Sequence, residues 1–227
     1  MTLLEAQELI HALYEGDNDN PTSTSDEDWV LRASSIKLAV RRWENDEDGE
    51  LWRELYVNIA DASTGDQTVT SGIVTAGQAD APDDFVFLNG YVRVGTVFFE
   101  QILPEQAQSV TLSPNRRVVW VTGNRKVGYT LNFYGLDTTM VGTAFAYEYY
   151  KTASVPSATS DVFEMSNPLY AVHSTVADLF SGDGDTTRSS KHFSIAEEIY
   201  SGMKLKNMQL GALQSNQIPG NGAGFGF

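Results

Sequence analysis

The sequence contains no cysteine and no long hydrophobic run. The lack of cysteine excludes disulfide bonds, thiolate metal ligands and thiol nucleophiles. Apolar runs are short, as at residues 118–121, whereas a transmembrane helix needs roughly 20 apolar residues. The N-terminus carries Glu5 and Glu8 and no basic region ahead of them, so it does not predict a secretory signal. We therefore expect a soluble protein that is made in a reducing compartment and has no membrane partner.

Basic residues are scarce in the first half of the chain. Residues 1–105 hold 21 acidic and 6 basic residues, a net charge of −15, whereas residues 106–227 hold 9 of each. The whole net charge of −15 therefore resides in the front half. An acidic surface favours solubility and also repels phosphate. We do not expect this half to bind nucleic acid directly.

The composition is otherwise that of a folded protein. Hydrophobic residues make up 41% and charged residues 20% of the 227 residues, which allows a packed core and excludes wholesale disorder. Apolar residues at helical spacing predict a helix over residues 2–15 and a second helix, which Ser25 or Asp26 can cap and the acidic break at residues 45–49 ends. Residues 51–60 either continue as helix or pass into the next segment.

From about Gln67 to Lys151, short runs of β-branched and aromatic residues alternate with turn residues. Asn89-Gly90 predicts a two-residue hairpin, and Gly123-Asn124 predicts a turn between two strands. Several short strands at roughly ten-residue spacing are typical of a small antiparallel sandwich or barrel. The strand candidates are residues 85–88, 91–99, 117–121, 129–134 and 143–150.

Helix returns after Asn167-Pro168, where a capping side chain precedes a proline at the first helical position. The apolar face from Leu169 to Phe180 predicts one helix, followed by a loop at residues 182–185. A last helix is expected to begin near Lys191 or at a capping box over Ser194–Glu197.

The order of helices, sheet and helices predicts an α+β fold. N- and C-terminal helices would form a helical layer, into which a small antiparallel β sandwich or barrel is inserted. The predicted domains are residues 1–66 with 154–212 for the helical layer and 67–153 for the β domain. Residues 213–227, rich in glycine, would form a flexible C-terminal tail.

Residues that carry chemistry form no recognised motif. His11, His173 and His192 have no HExxH or other paired spacing, and histidines on apolar stripes are usually packed or surface residues. The segment Gly123–Gly128 has the span of a phosphate loop, but it lacks the Lys-Ser/Thr pair and lies between strands, so it predicts a hairpin turn. Paired carboxylates of a glycosidase remain open, because such acids meet only in the fold. We predict no catalytic residue, no cofactor and no metal site.

The most recognisable stretch begins at Ala146. A strand ending in Tyr147–Lys151 leads to NPLYAVHSTVADLF at residues 167–180, an acidic loop and a helix that contains residues 197–203. This pattern resembles the adaptor, or head-to-tail connector, proteins of tailed bacteriophages, a group that includes the tail tubular protein A of short-tailed phages. The two helices ahead of the β insertion agree with that organisation, so the likeness covers most of residues 1–212.

The resemblance implies a structural virion protein of the neck or tail that is assembled in the host cytoplasm and is not an enzyme. The resemblance further implies a homo-oligomeric ring, twelve-fold in the proteins of that group, that docks on the portal protein and meets the downstream tail or nozzle proteins. The packaged DNA would pass through the extended channel without specific binding, which an acidic lining favours. A flexible terminus can order on a partner, so Ile218, Phe225 and Phe227 are the candidate portal contacts.

Two other functions stay open. The first is another neck or tail component, such as a completion or terminator protein. The second is a carbohydrate-binding module in the β domain that uses exposed Trp120, Tyr129 or Tyr134. Because alternate strand residues face opposite sides, most of these aromatic residues are expected in the core.

Overall fold

The chain forms two compact units, Met1–Glu54 with Ala153–Phe227 and Leu55–Thr152. The computed structural model describes residues 1–16, 24–45, 49–59, 76–109, 116–137, 139–140 and 143–215. The fold is α+β, as predicted, with a β domain between helical segments of the chain. The described α-helices are α1 (Leu3–Tyr14), α2 (Glu27–Glu44), α3 (Pro104–Ser109), α4 (Leu169–Gly182) and α5 (Thr186–Ser215).

The first helix is fixed by a capping box. The Thr2 hydroxyl accepts a hydrogen bond from the Glu5 N–H, and the Glu5 carboxylate accepts one from the Thr2 N–H at 2.7 Å. The apolar face of the helix, including Leu3 and Ile10, is buried. The helix predicted over residues 2–15 is confirmed, because its start signal and its apolar stripe are both local.

Helix α4 begins as the sequence predicts. The Asn167 side-chain oxygen accepts a hydrogen bond from the Leu169 N–H at 3.2 Å, and Pro168 already has helical dihedral angles. The helix is buried on most of its circumference. Its buried residues are Tyr170, Ala171, Val172, Ser174, Thr175, Val176, Ala177, Leu179 and Phe180.

Helix α5 begins earlier than the sequence analysis predicts. The Asp185 carboxylate accepts a hydrogen bond from the Arg188 N–H at 3.0 Å and so caps a helix that starts at Thr186. The predicted capping box over Ser194–Glu197 is wrong, because that segment lies in the interior of a helix whose backbone is already bonded.

The second unit is an eight-stranded sheet. Its strands are β1 (Tyr56–Ile59), β2 (Ala76–Asp80), β3 (Phe85–Leu88), β4 (Val92–Val94), β5 (Val97–Gln101), β6 (Val118–Asn124), β7 (Gly128–Tyr134) and β8 (Phe145–Lys151). Their order in the sheet is β1-β8-β4-β5-β6-β7-β2, with β3 also paired to β8. All pairs are antiparallel except β5 with β6, which run parallel. A parallel pair needs a crossover connection, and α3 lies in the chain between these two strands.

The hairpin predicted at Asn89-Gly90 is wrong. Strands β3 and β4, on either side of it, both pair with β8, where Leu88 is opposite Tyr149 and Val94 is opposite Phe145. The tight hairpin lies five residues later, where Gly95 (φ 60°) permits the turn between β4 and β5.

The turn predicted at Gly123-Asn124 and the alternatives left open for residues 51–60 can both be compared with the structure. The segment Gly123–Gly128 is a hairpin between β6 and β7, as predicted, with Asn124 opposite Gly128. The Asn124 side chain accepts hydrogen bonds from the N–H groups of Lys126 and Val127, which fixes the turn. Within the predicted segment 51–60, the described residues 51–59 do not continue as an α-helix. Arg53–Leu55 is a single 3₁₀ turn, and the chain then enters β1, which pairs with β8.

Alternation along β8 divides the sheet into two faces. Phe145, Tyr147 and Tyr149 are buried in the core of the unit, whereas Ala146 and Glu148 lie on the opposite face. Further core residues include Phe85, Val92, Val94, Phe99, Val119, Leu131 and Phe133.

The cap of α5 can be tested by substitution. We expect Asp185→Ala to lower the free energy of unfolding by about 1 kcal/mol, because the Arg188 N–H loses its acceptor. Ser194→Ala is the matched control, since Ser194 is an exposed residue in the helix interior and alanine has the higher helix propensity. Urea unfolding followed by circular dichroism measures both variants, and equal losses of stability would contradict this assignment of the cap.

Candidate functional site

The predicted portal contacts Ile218, Phe225 and Phe227 lie outside the described residues, as does all of the chain after Ser215. The aromatic candidates of the β domain lie on β6 and β7, and each of the three is half-buried. Tyr129 packs against the core, with its ring 5.3 Å from that of Phe85. The described surface nevertheless carries two candidate sites that the sequence analysis did not predict.

The first candidate site, the α2 stripe, is an apolar strip on the solvent side of α2. It consists of Val30, Leu31 and Leu38, which are 51%, 56% and 55% exposed. Spacings of seven and eight residues place the three side chains on one side of the helix. The opposite side is packed into the first unit through residues such as Trp29 and Trp43. Helix α2 therefore has apolar side chains on two faces, and within the described part of the chain one of them is covered.

The long helix α5 repeats this arrangement. Phe193, Leu205 and Met208 are more than half exposed, whereas Ala196 and Met203 are buried against the first unit. The other exposed residues of α5 are mostly polar, so these three are separate apolar contacts that another protein could cover. Sequence analysis missed both surfaces because it assigned apolar positions to a single inward stripe on each helix.

The second candidate site, the sheet groove, is a depression of about 390 Å³ on the outer face of the sheet in the second unit. Strand register explains its composition: Asn58 on β1 is opposite Glu148 on β8, while Arg93 on β4 is opposite both Ala146 and Phe98. Directly opposed residues share a face of the sheet, so side chains from four strands meet there.

The Glu148 carboxylate is held in place at the centre of the sheet groove. It accepts hydrogen bonds from the side-chain amides of Asn58 at 3.2 Å and Asn89 at 3.3 Å, one on each oxygen. The Tyr56 hydroxyl also bonds to it. Burial, followed by this hydrogen bond, raises the pKa of Tyr56 to about 12, so the phenol remains protonated and donates to the carboxylate at neutral pH.

Two aromatic rings border the sheet groove, those of Tyr91 and Phe98, with 63% and 62% of each residue exposed. Both lie in the segment that follows the break at Asn89-Gly90, where β3 gives way to β4. The break interrupts pairing along β8 and leaves room for the depression. From the sequence, Asn89-Gly90 predicts a hairpin, and the groove was therefore not predicted.

The three histidines are packed residues. His11 is buried beside Arg32, whose guanidinium lies 3.0 Å from the imidazole Nδ1. His173 on α4 and His192 on α5 contact each other, with their Nδ1 atoms 3.0 Å apart and their rings stacked at 5.2 Å. They are 19 positions apart in sequence, and only the packing of the two helices brings them together. Among the described residues, no group of three or more histidine, aspartate and glutamate side chains could hold a metal ion.

Both histidines of this pair favour the neutral form. Burial lowers the pKa of His173, and a positive charge on His192 would lower it further. Burial also lowers the pKa of His192, with a smaller effect from Lys191. Arg188 adds a third positive charge nearby, since its guanidinium lies over the Phe180 ring, which packs against His192. If both imidazoles were protonated, their Nδ1 atoms, 3.0 Å apart, would both carry a hydrogen and neither could accept a hydrogen bond from the other.

No protein-family model and no curated protein matches the chain. No helix within the described ranges has both the length and the apolar content that a membrane crossing requires.

The histidine pair predicts a pH-dependent stability. Because both pKa values lie below the ordinary value of 6.5 in the folded state, the unfolded chain binds protons more readily. We expect the melting temperature to be constant above about pH 7 and to fall as the pH decreases from about 6.5 towards 5. His173→Gln removes one titrating group and should give a shallower fall. Parallel melting curves for the two proteins across this range would contradict the assignment.

Proposed function

We propose that the protein is a structural subunit of a bacteriophage neck, an adaptor that assembles into a ring, docks on the portal protein and extends the DNA channel towards the tail. The observation that carries this proposal is the α2 stripe, an apolar surface on a helix whose other face is already buried. The sequence resemblance to head-to-tail connectors supports the same assignment.

The α2 stripe would gain free energy from contact with a partner. Burial of a Val or Leu side chain stabilises by about 1.5–3 kcal/mol relative to full exposure, so three half-exposed side chains represent several kcal/mol of unused burial. A head-to-tail ring joins two different surfaces of each copy. The apolar sides of α2 and α5 supply two such surfaces within the first unit. This supports a multi-copy assembly more than a monomeric enzyme.

Charge supports a role beside DNA without affinity for it. The net charge of −15 resides in residues 1–105, and an acidic surface repels the phosphate backbone. A channel protein has to let the packaged DNA slide, so repulsion is favourable there. Downstream tail or nozzle proteins would bind the ring at its other end.

Another neck or tail component, such as a completion or terminator protein, is the second candidate in this class. The α2 stripe is compatible with it, since any such component packs against neighbouring copies. Binding to the portal protein distinguishes the two, because an adaptor contacts the portal directly.

The α2 stripe can be tested with a charged double variant. We expect Leu31→Lys with Leu38→Lys to prevent ring formation, because two ammonium groups would have to be buried in the contact. Sedimentation velocity measures the oligomeric state, alone and with the portal protein of the same phage. Val127→Lys is the control, since Val127 is 76% exposed in the β6–β7 turn and lies outside the stripe. Unchanged assembly of the double variant, or a wild-type protein that stays monomeric with the portal protein, would contradict the proposal.

The C-terminal tail provides an independent test of portal docking. Deletion of residues 215–227 removes Ile218, Phe225 and Phe227, and we expect it to abolish binding to the portal protein while leaving the melting temperature unchanged. Affinity for the isolated portal protein is measured by biolayer interferometry. Phe225→Ala with Phe227→Ala should reproduce most of the loss if the aromatic rings are the anchors. Undiminished binding of the truncated protein would show that the portal is contacted elsewhere.

A further inference from the structure

The sheet groove presents both donors and acceptors of hydrogen bonds at fixed positions. The Glu148 carboxylate is an acceptor whose orientation is set by Asn58 and Asn89, and Arg93 brings donors to the same depression. A carboxylate has about four lone-pair sites, so with Asn58, Asn89 and the Tyr56 hydroxyl bound one remains for another donor. The groove is therefore organised for a ligand that offers several polar groups over a short distance.

The charges in the sheet groove argue against a strongly charged ligand. Glu148 and Arg93 carry opposite charges and both line the depression, so their long-range effects on an ion oppose each other. A protonated amine would be attracted by the carboxylate and repelled by the guanidinium. A phosphate would be attracted by the guanidinium and repelled by the carboxylate. A neutral ligand rich in hydroxyl groups avoids both penalties, because a hydroxyl donates to Glu148 and accepts from Arg93.

The exposed aromatic rings indicate that the ligand also has apolar C–H groups. Tyr91 and Phe98 leave well over half of their surface in water on the outer face of the sheet, away from the core. Such rings have large apolar faces that gain from contact with C–H groups. A pyranose ring combines C–H groups on its flat faces with hydroxyl groups around its edge, which matches rings beside a polar floor.

We propose that the sheet groove binds a neutral saccharide, with Tyr91 and Phe98 packing against sugar rings and Glu148 and Arg93 bonding to their hydroxyl groups. The volume of about 390 Å³ lies in the range of small-ligand sites and accommodates one or two sugar units. The open outer face allows the remainder of a longer chain to extend into solvent. This site differs from the half-buried positions of Trp120, Tyr129 and Tyr134, and it does not depend on the proposed role in the neck.

The proposal is tested with the full-length protein and defined oligosaccharides. Maltohexaose, cellohexaose, chitohexaose and mannohexaose are titrated by isothermal calorimetry up to millimolar concentration, with spermidine and inorganic phosphate as charged probes. We expect binding of at least one neutral oligosaccharide and of neither charged probe. Tyr91→Ala and Phe98→Ala should each weaken binding by about tenfold, whereas Phe98→Tyr, which keeps an aromatic ring, should bind as the wild type does.

Two control variants make the result specific to the sheet groove. Val127→Ala changes an exposed apolar residue of the same unit outside the groove and should leave the affinity unchanged. Trp120→Ala tests the alternative position on β6. Failure to bind any of the four oligosaccharides, or loss of binding in Trp120→Ala with retention in Tyr91→Ala and Phe98→Ala, overturns the proposal. Since ring formation is measured separately by sedimentation, either function can fail without affecting the other.

Discussion

The burial of α4 is the constraint on which the first unit depends. The polar side chains and carbonyl groups on the buried faces of a helix cannot form hydrogen bonds with water, so they need partners within the protein. Each buried polar group without a partner lowers the stability by about 1–3 kcal/mol. The neighbouring helices supply partners to several of these groups: Arg42 of α2 donates to Ser174 and Asp178, and the Ser189 hydroxyl of α5 donates to the Ala177 carbonyl. The buried Thr175 hydroxyl has no hydrogen-bond partner among the described residues. The contacts that bury α4 thus also fix the positions of α2 and α5 around it, and with them the directions of their outer faces.

The second unit depends on a different constraint, the alternation of side chains along β8 between the two faces of the sheet. One set of side chains, from Phe145 to Tyr149, forms an aromatic row in the core, with stacked or tilted rings less than 6 Å apart. The alternate set, which includes Glu148, must then face outward. A slip of one residue in register would move Glu148 into the core, so the same packing that stabilises the sheet keeps the groove polar.

Local signals in the sequence predict the helices well and the strand pairing poorly. The α1 helix was predicted from its apolar stripe, and α4 from its apolar face and the Asn167 cap, all of which are local signals. The Thr2 cap of α1 is equally local, since it lies three residues from the N–H group that it satisfies. The Asn89-Gly90 turn was assigned to a hairpin because the sequence does not show that β8, about 60 residues away, pairs with both flanking strands. The groove and the histidine pair are equally non-local: Asn58 and Glu148 are 90 residues apart. A stripe on the solvent side of α2 was missed because helical periodicity does not reveal how many faces of a helix are covered.

The basic residues of α2 form hydrogen bonds and ion pairs within the first unit, and these pairs affect the charge that the helix presents to solvent. Of the six basic residues in residues 1–105, four lie on α2, and three of these have internal partners: Arg32 with His11, Arg41 with Glu44 and Arg42 with Asp178. Arg42 is paired with an acid from the second half of the chain, so it compensates none of the acids in the first half. The Arg42–Asp178 pair therefore leaves the acidic excess of residues 1–105 without local compensation from Arg42. Three apolar side chains are exposed on α2 (Val30, Leu31 and Leu38), together with the acidic residues Glu27 and Asp28 and the basic residues Lys37 and Arg42. A surface that combines apolar side chains with both signs of charge favours a protein partner over nucleic acid.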